Sequence, residues 1–293
     1  MNIRSPYAAL FLGIIAVSFA AIFIRLAEAP PAVVAFYRMG LATVALLPIV
    51  WWQERHLFRA VPRRHLGWML LGGFFLALHF MLWISSFSFT SVASSVFFVT
   101  TQPIFVAIAS IFLFQERFSM HLAIGIALAA AGSITIGAGD LQALGSTNMY
   151  GNLLAFGGAL MAASYLLVGR HVRQTISLGI YIVAVYGFSA LFLLGFVLLA
   201  GHPLTGYTGA TWLNMVLLAV VPTVIGHTCF NWTLKYLPAP IVSVAILGEP
   251  VGATLLAYLI LQEAPAWYTL VGGALILWGI YVTTQSKPKT AAT

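Results

Sequence analysis

The sequence predicts an all-α integral membrane protein: ten transmembrane helices forming two inverted five-helix repeats around a central cavity, with both termini cytoplasmic. Three observations carry that expectation. Long apolar runs succeed one another along the chain, a block of residues recurs 147 positions later, and Lys and Arg crowd to one side of the runs. Of the 293 residues, 61% are apolar and 6% are charged. A typical soluble domain is about 25% charged, so hydrocarbon is the main solvent of this chain. Runs close to the roughly 20 residues that cross a bilayer fall at 7–27, 31–52, 66–88, 91–114, 121–138, 149–169, 178–200, 211–234, 239–261 and 267–284.

The recurring block reads Gln102-Pro103, an apolar run, Gln115-Glu116, then Gly125, Ala127, Leu128 and Gly132. Advanced by 147, it reads Glu249-Pro250, an apolar run, Gln262-Glu263, then Gly272, Ala274, Leu275 and Gly279. The period is too long for a solenoid repeat and marks two units, residues 1–143 and 144–293. Five helices per unit is an odd number, so the second copy enters the membrane upside down. Secondary transporters are built this way. Of the 13 Lys and Arg, Arg25 alone falls on the side opposite the N-terminus and Arg38 falls inside the second helix; all the others lie on the N-terminal side. The positive-inside rule then places both termini in the cytoplasm. The formal charge of +7 is thus a topology signal and not a nucleic-acid patch. A single cysteine, Cys229, excludes an internal disulfide and a Cys-based metal site.

The first run follows Arg4. A cleavable signal peptide would end near Ala27-Glu28-Ala29, but Pro30 would follow the cut and the run is long, so it reads as the first helix of the repeat. Pro30-Pro31 closes a short outer loop and starts the second helix, where a proline costs no hydrogen bond. That helix carries Tyr37 and Arg38. A buried arginine faces a partner or a wet cavity; the alternative is that Arg38, about two turns from the outer end, snorkels to the surface. Residues 53–65 form the most basic loop, an exposed face. His79, Trp83 and Ser86 share one face of the third helix, which meets the fourth through a tight hairpin at Phe89-Thr90-Ser91. The fourth helix shows Ser94, Ser95, Phe98 and Gln102, and small residues at such spacing often serve close helix approach alone. Gly125 and Gly132, with Gly272, Gly273 and Gly279, read as scaffold or dimer faces of the fifth and tenth helices. An outer loop at 139–148 joins the halves. The sixth helix offers Met161, Ser164 and Tyr165. The seventh offers Tyr181, Tyr186 and Ser189, which read as core. In the eighth, Thr223, His227 and Asn231 recur at i, i+4 and i+8 as one stripe, flanked by Cys229 and Trp232. His227 matches His79 with one residue of slippage.

Three prolines, Pro103, Pro222 and Pro250, mark kinks. Each removes a backbone donor and frees the carbonyl of Val99, Leu218 or Ile246, which in a membrane must find a side chain, water or substrate. Glu249 is the one carboxylate deep in a span. Intramembrane acids mark substrate or proton routes, so Glu249 is the candidate proton site as well as a candidate ligand; the plainer reading is a carboxyl that caps the carbonyl beside Pro250. Its counterpart Gln102 is neutral. The candidate substrate-binding set is His79, Trp83, Gln102, Ser95, Phe98, Tyr37, Tyr165, His227, Asn231, Trp232 and Glu249. Its rings suit flat substrates or a cation held by cation–π contact. Trp51, Trp52, Trp68 and Trp267 lie at helix ends as interfacial anchors. Neither histidine has a second ligand at metal spacing, so no metal and no cofactor are expected. The expected partners are a small-molecule substrate and membrane lipid, without nucleic acid. The oligomeric state is not specified by the sequence, and a monomer is plausible.

The hairpin before Gln102-Pro103, the run closing on Gln115-Glu116-Arg117-Phe118 and the Gly125…Gly132 helix resemble the EamA-type repeat of ten-helix members of the drug/metabolite transporter superfamily. Glu249-Pro250 through Gln262-Glu263 to Gly279 matches too, with Ala264-Pro265 in place of the basic residue. Tyr37-Arg38 looks like that family's second-helix arginine. The His- and Trp-bearing third helix and the aromatic content resemble bacterial YddG-type aromatic amino-acid exporters. The resemblance implies export of aromatic and other neutral amino acids, with flat cationic drugs such as viologens as a further class, from the inner membrane. It also implies a central cavity built by the third, fourth, eighth and ninth helices with the first and sixth. Small four-helix relatives keep a coupling glutamate in their first helix, where this chain has Ser18. An importer or a nucleotide-sugar-type carrier is the alternative within the superfamily. A membrane-embedded enzyme is disfavoured, because no nucleophile–base pair, acidic metal cluster or sizeable soluble loop is present.

Overall fold

In the computed structural model, residues 5–90, 95, 98–99, 101–114, 119–144, 149–262 and 264–285 are described. Ser94, Gln115-Glu116-Arg117-Phe118, Glu263 and the terminal Arg4, Lys287 and Lys289 lie outside them. The described chain is all α. Its helices are α1 (Pro6–Leu26), α2 (Pro31–Phe58), α3 (Arg63–Ser86), α4 (Gln102–Phe114, preceded by helical Ser95, Phe98 and Val99), α5 (Met120–Leu144), α6 (Met149–Val172), α7 (Leu178–Leu199), α8 (Gly209–Thr233), α9 (Ala239–Ile246 and Gly248–Leu261) and α10 (Trp267–Thr284). Among the described residues, seven spans are long and apolar enough to cross a membrane, and the shorter apolar stretches of α4, α5 and α10 accompany them. Prolines open α1, α2 and α9, positions whose amide would be unpaired in any case.

Two boundaries differ from expectation. Residues 139–144, read as outer loop, continue α5, because Leu141-Gln142-Ala143-Leu144 are good helix formers and nothing in them breaks the ladder. The basic segment after residue 52 is helical to Phe58, and it is more than an exposed face. Ser177 caps α7 and donates to Glu54 Oε2 at 2.5 Å, and His65 Nε2 lies 3.0 Å from Thr175 Oγ1.

Packing repeats with the halves exchanged. Helix α3 lies along α6 as α1 lies along α8, α3 touches α7 as α8 touches α2, and α4 meets α6 as α9 meets α1. The pairs α2–α7, α4–α9 and α5–α10 each join equivalent helices of the two halves. This is the contact pattern of an inverted-repeat membrane fold.

The tightest of these seams is α5–α10. A Cβ on Gly125 would lie 2.7 Å from the Gly279 carbonyl oxygen, and one on Gly279 would lie 2.6 Å from the Gly125 oxygen; Gly132 and Gly272 oppose each other in the same way at 2.4 and 2.5 Å. Gly125 corresponds to Gly272 in the repeat, and Gly132 to Gly279. Each glycine therefore faces the other position's counterpart, as antiparallel copies require. Of the two readings of these glycines, the scaffold one holds: they bring two backbones of one chain together, and van der Waals approach of small residues is the main glue between helices in lipid.

Around this interior, large apolar side chains such as Phe11, Val44, Phe112 and Leu199 are exposed, which suits a lipid-facing surface. Tyr181, Tyr186 and Ser189 are fully buried. Placing Leu at Gly132 or Gly272 should destabilise the protein by about 1–3 kcal/mol or more through overpacking, read as a lower melting midpoint in detergent. Gly195→Ala, which meets no atom within 4 Å, should leave the midpoint unchanged or raise it slightly.

Candidate functional site

The interruptions of the helices converge on one place. Thr101 is a turn residue just before the proline-bearing start of α4, and Leu247 is a turn residue inside α9, just before Gly248-Glu249-Pro250. Helix α1 is interrupted at Phe19, and α8 is a π-helix from Ala219 to His227 around Pro222. Irregular backbone at membrane depth is tolerated where it borders a cavity or is buried in protein. Pro222 frees the Leu218 carbonyl, and the Thr223 hydroxyl donates to that carbonyl at 3.1 Å. The same hydroxyl oxygen accepts from Arg38 Nε at 2.9 Å. A kink in the second repeat thereby fixes an arginine of the first.

Between these interruptions lies a cavity of about 80 Å³. It is walled by Ala21 of α1, Arg38 of α2, His79, Phe80 and Trp83 of α3, Val99 and Gln102 at the start of α4, Ala162, Tyr165 and Leu166 of α6, His227 and Phe230 of α8, and Ile246, Leu247, Glu249, Pro250 and Ala253 of α9. Helix α2 thus joins the six helices implied by the resemblance. A buried water needs about 10–15 Å³ and ligand pockets run to roughly 300–1,000 Å³, so this cavity holds several waters but is smaller than a drug-sized ligand pocket. A vestibule of about 300 Å³, lined by Ile24, Arg25, Ala27, Ala29, Pro31, Val34, Ile84, Phe87 and Ser88, shares Ala21 with the cavity. It opens at the ends of α1 and α3 and the start of α2, the side away from the N-terminus. Toward the N-terminal side the loop after α6 is tied down. Arg173, 3% exposed, donates to the carbonyls of Asn231 and Ile176, and Arg170 donates to that of Leu234.

Within the cavity wall, His79 Nδ1 lies 2.9 Å from the Gly158 carbonyl. A carbonyl only accepts, so Nδ1 carries the proton and a neutral ring keeps Nε2 as an acceptor. The His79 and Trp83 rings lie nearly parallel, with centroids 5.7 Å apart and planes inclined by 13°. His227 packs edge-on against Phe80 at 5.6 Å. Arg38 is 1% exposed, and its guanidinium lies 4.1 Å over the Phe80 ring. Snorkelling therefore does not describe it; it faces a partner and a cavity at once.

Of the expected set, His79, Trp83, Gln102, Tyr165, His227 and Glu249 line the cavity, as does Pro250. Pro103 is buried beside Gln102, and Pro222 lies inside the π-helical stretch. The others stand elsewhere. Asn231 is fully buried behind the wall, where its Oδ1 accepts from the Tyr165 hydroxyl at 2.8 Å and its Nδ2 donates to that of Tyr186 at 3.2 Å. The i, i+4, i+8 stripe fails: the π-helical turn between Thr223 and His227 is wider than an α turn, and Thr223 and Asn231 are both buried off the cavity that His227 lines. Ser95 is buried against Ser86, with 2.6 Å between the hydroxyl oxygens; the Ser86 proton goes to the Trp83 carbonyl, so Ser95 donates. Tyr37 donates to the Leu204 carbonyl at 2.5 Å and packs edge-on against Trp212, tying α2 to the loop before α8. Trp232 packs at a tilt of 49° against Tyr236 near the end of α8, and Phe98 lies outside the cavity wall. Among the described residues no three His, Cys, Asp or Glu side chains gather for a metal.

Phe80 was not anticipated, although a signal existed. It occupies in the first repeat the position that His227 occupies 147 residues later, without the slippage that pairing with His79 requires. Phe230, Leu166 and Ile246 carry no such mark and are recognisable only from packing.

Comparison with known proteins extends this architecture. A solved crystal structure covers 96% of this chain and 96% of its own at a TM-score of 0.80 with 19% identity, which speaks to fold alone. An "Uncharacterized transporter" of Archaeoglobus fulgidus is 26% identical over 275 residues, 92% of this chain and 93% of the relative. The "Uncharacterized transporter YetK" of Bacillus subtilis is 25% identical over 87% of this chain and 78% of its own length. The "Inner membrane protein YtfF" of Escherichia coli is 32% identical over 79 residues, 27% of this chain. Residues 4–138 and 149–285 each match the EamA-like transporter family. The chain belongs to that family of the drug/metabolite transporter superfamily, and is a multi-pass membrane transporter rather than an enzyme.

Proposed function

We propose that this transporter exports aromatic and other neutral amino acids, with flat organic cations such as viologens as a second class, across a bacterial inner membrane by alternating access. Both termini face the cytoplasm in this reading. The observation that carries it is the makeup of the central wall: Phe80, Phe230, Tyr165 and the parallel His79–Trp83 pair surround a cavity between the two halves. Such a wall gives a flat ring stacking surfaces worth about 0.5–1.5 kcal/mol per pair beyond area burial. A nucleotide-sugar carrier fits less well, since Arg38 is the one cation on the wall among the described residues and a diphosphate calls for several donors.

Rocking of the halves would widen the small cavity toward the tied-down N-terminal side while closing the vestibule. The export direction rests on the resemblance to aromatic amino-acid exporters, and the orientation rests on the Lys and Arg asymmetry. Glu249, on the wall at the first turn after the α9 interruption, is the candidate proton site.

Purified protein in liposomes tests the reading by uptake of labelled tryptophan, threonine and a nucleotide-sugar, with and without a pH gradient. Tryptophan should be carried, and its absence from the lumen under every gradient would overturn the substrate class. His79→Ala and His227→Ala should raise the tryptophan KM roughly tenfold, the size of one lost hydrogen bond or packing contact. His121→Ala, exposed at the start of α5, should not change it; equal effects at all three positions would remove the histidines from the site. Glu249→Gln should flatten the pH dependence of transport with the melting midpoint retained, and an unaltered profile would return Glu249 to a structural role. In a Cys229→Ser background, Arg4→Cys and Lys287→Cys should be labelled by a membrane-impermeant thiol reagent from the same face, the one exposed in inside-out vesicles.

A further inference from the structure

Arg38 and Glu249 face the same cavity from opposite repeats without meeting. Arg38 Nε is held by Thr223, and the guanidinium lies over the Phe80 ring. Its Nη1 amino group is buried and has no acceptor. Among the described residues, the half-buried Glu249 makes no side-chain hydrogen bond or ion pair and borders the cavity. One unpaired donor and one unpaired carboxyl in a largely apolar wall are costly to keep. They make no ion pair with each other; instead Arg38 Nε is engaged by Thr223 and its guanidinium lies over Phe80. The arrangement suits a third group that carries both complementary charges.

We propose that Arg38 and Glu249 are the two poles of a zwitterion site: Arg38 takes the α-carboxylate of an amino acid, Glu249 takes its α-ammonium, and the side chain lies against the Phe80 and His79–Trp83 surfaces. The inference rests on the amino-acid reading above and adds to it the residues that select the head group. A carboxylate matches the planar guanidinium better than it would a lysine. An ammonium alone would leave Arg38 unsatisfied, and a carboxylic acid alone would leave Glu249 unsatisfied, so either analogue carries the penalty of an unmade charged hydrogen bond. Gln102, the neutral counterpart of Glu249 across the repeat, keeps the other side of the wall from adding a second negative pole.

The test is competition against tryptophan uptake in proteoliposomes by tryptamine, which lacks the carboxylate, and by indole-3-propionate, which lacks the ammonium. In the natural protein both should compete roughly 10- to 100-fold more weakly than tryptophan. In Glu249→Gln the disadvantage of indole-3-propionate should vanish while that of tryptamine persists. In Arg38→Gln the pattern should reverse. Arg38 is fully buried, so folding is followed by size exclusion and melting; should Arg38→Gln fail to fold, Arg38→Lys should still carry tryptophan with a smaller discrimination against tryptamine. Competition by both analogues as strong as that of tryptophan itself in the natural protein would overturn the zwitterion site while leaving amino-acid export standing. So would an equal loss for all three compounds in each variant. Failure to carry tryptophan at all would overturn both.

Discussion

Hydrocarbon offers no hydrogen bonds, and the whole structure is arranged around that lack. A helix crossing lipid satisfies its own backbone, and every departure from regularity needs a local partner. The departures here are few: Phe19 in α1, the π-helical stretch of α8, and the turns before Gln102-Pro103 and Gly248-Glu249-Pro250. They meet at one cavity. The Thr223 hydroxyl shows how the constraint becomes a device, since it donates to the carbonyl that Pro222 frees and accepts from Arg38. Without Pro222 the hydroxyl would have less reason to sit there, and without the hydroxyl the buried guanidinium would lose its one side-chain acceptor.

Symmetry and chemistry are divided between different residues. The scaffold is nearly two-fold, with Gly125 against Gly279 and Gly132 against Gly272 joining the last helices of the two halves backbone to backbone. A site with the same symmetry would present like groups from both halves. The cavity departs from it instead. Gln102 stands where the other half has Glu249, Phe80 stands where the other half has His227, and the position 147 residues after Arg38 is the buried Val185. A duplicated frame thus supports an unduplicated site. The repeats supply equivalent helices on both sides of the cavity, and the few unmatched polar residues make its wall asymmetric.

Much of this was legible in the residues, for identifiable reasons. Helix number and order follow from apolar length, because one solvent dominates and period matters little when both faces are apolar. The inverted pairing follows from an odd number of spans per copy. His79, Trp83, Gln102 and Glu249 stand out because polar groups are rare at depth, and all four line the cavity. Asn231 illustrates the limit. Its alignment with Thr223 assumes α-helical turns, and the π-helical segment between Thr223 and His227 breaks that assumption; Asn231, one α turn beyond His227, meets Tyr165 and Tyr186 instead of the cavity. Tyr37 and Trp232 sit beside Arg38 and Phe230, which reach the wall, so the rotation of α2 and α8 against their neighbours, and not depth, turns them toward Trp212 and Tyr236.

The amino-acid sequence by itself determined the solvent, the ten spans, the duplicated unit and the short set of polar residues that a membrane interior must explain, because each of these is a property of composition and order along one dimension. Tertiary structure alone decided which of those residues meet. Arg38 could have reached the surface or the interior, and the choice fell to a threonine 185 residues away. That outcome depends on the rotation of α2 against a locally widened α8, a relation between two helices that neither helix's own periodicity encodes.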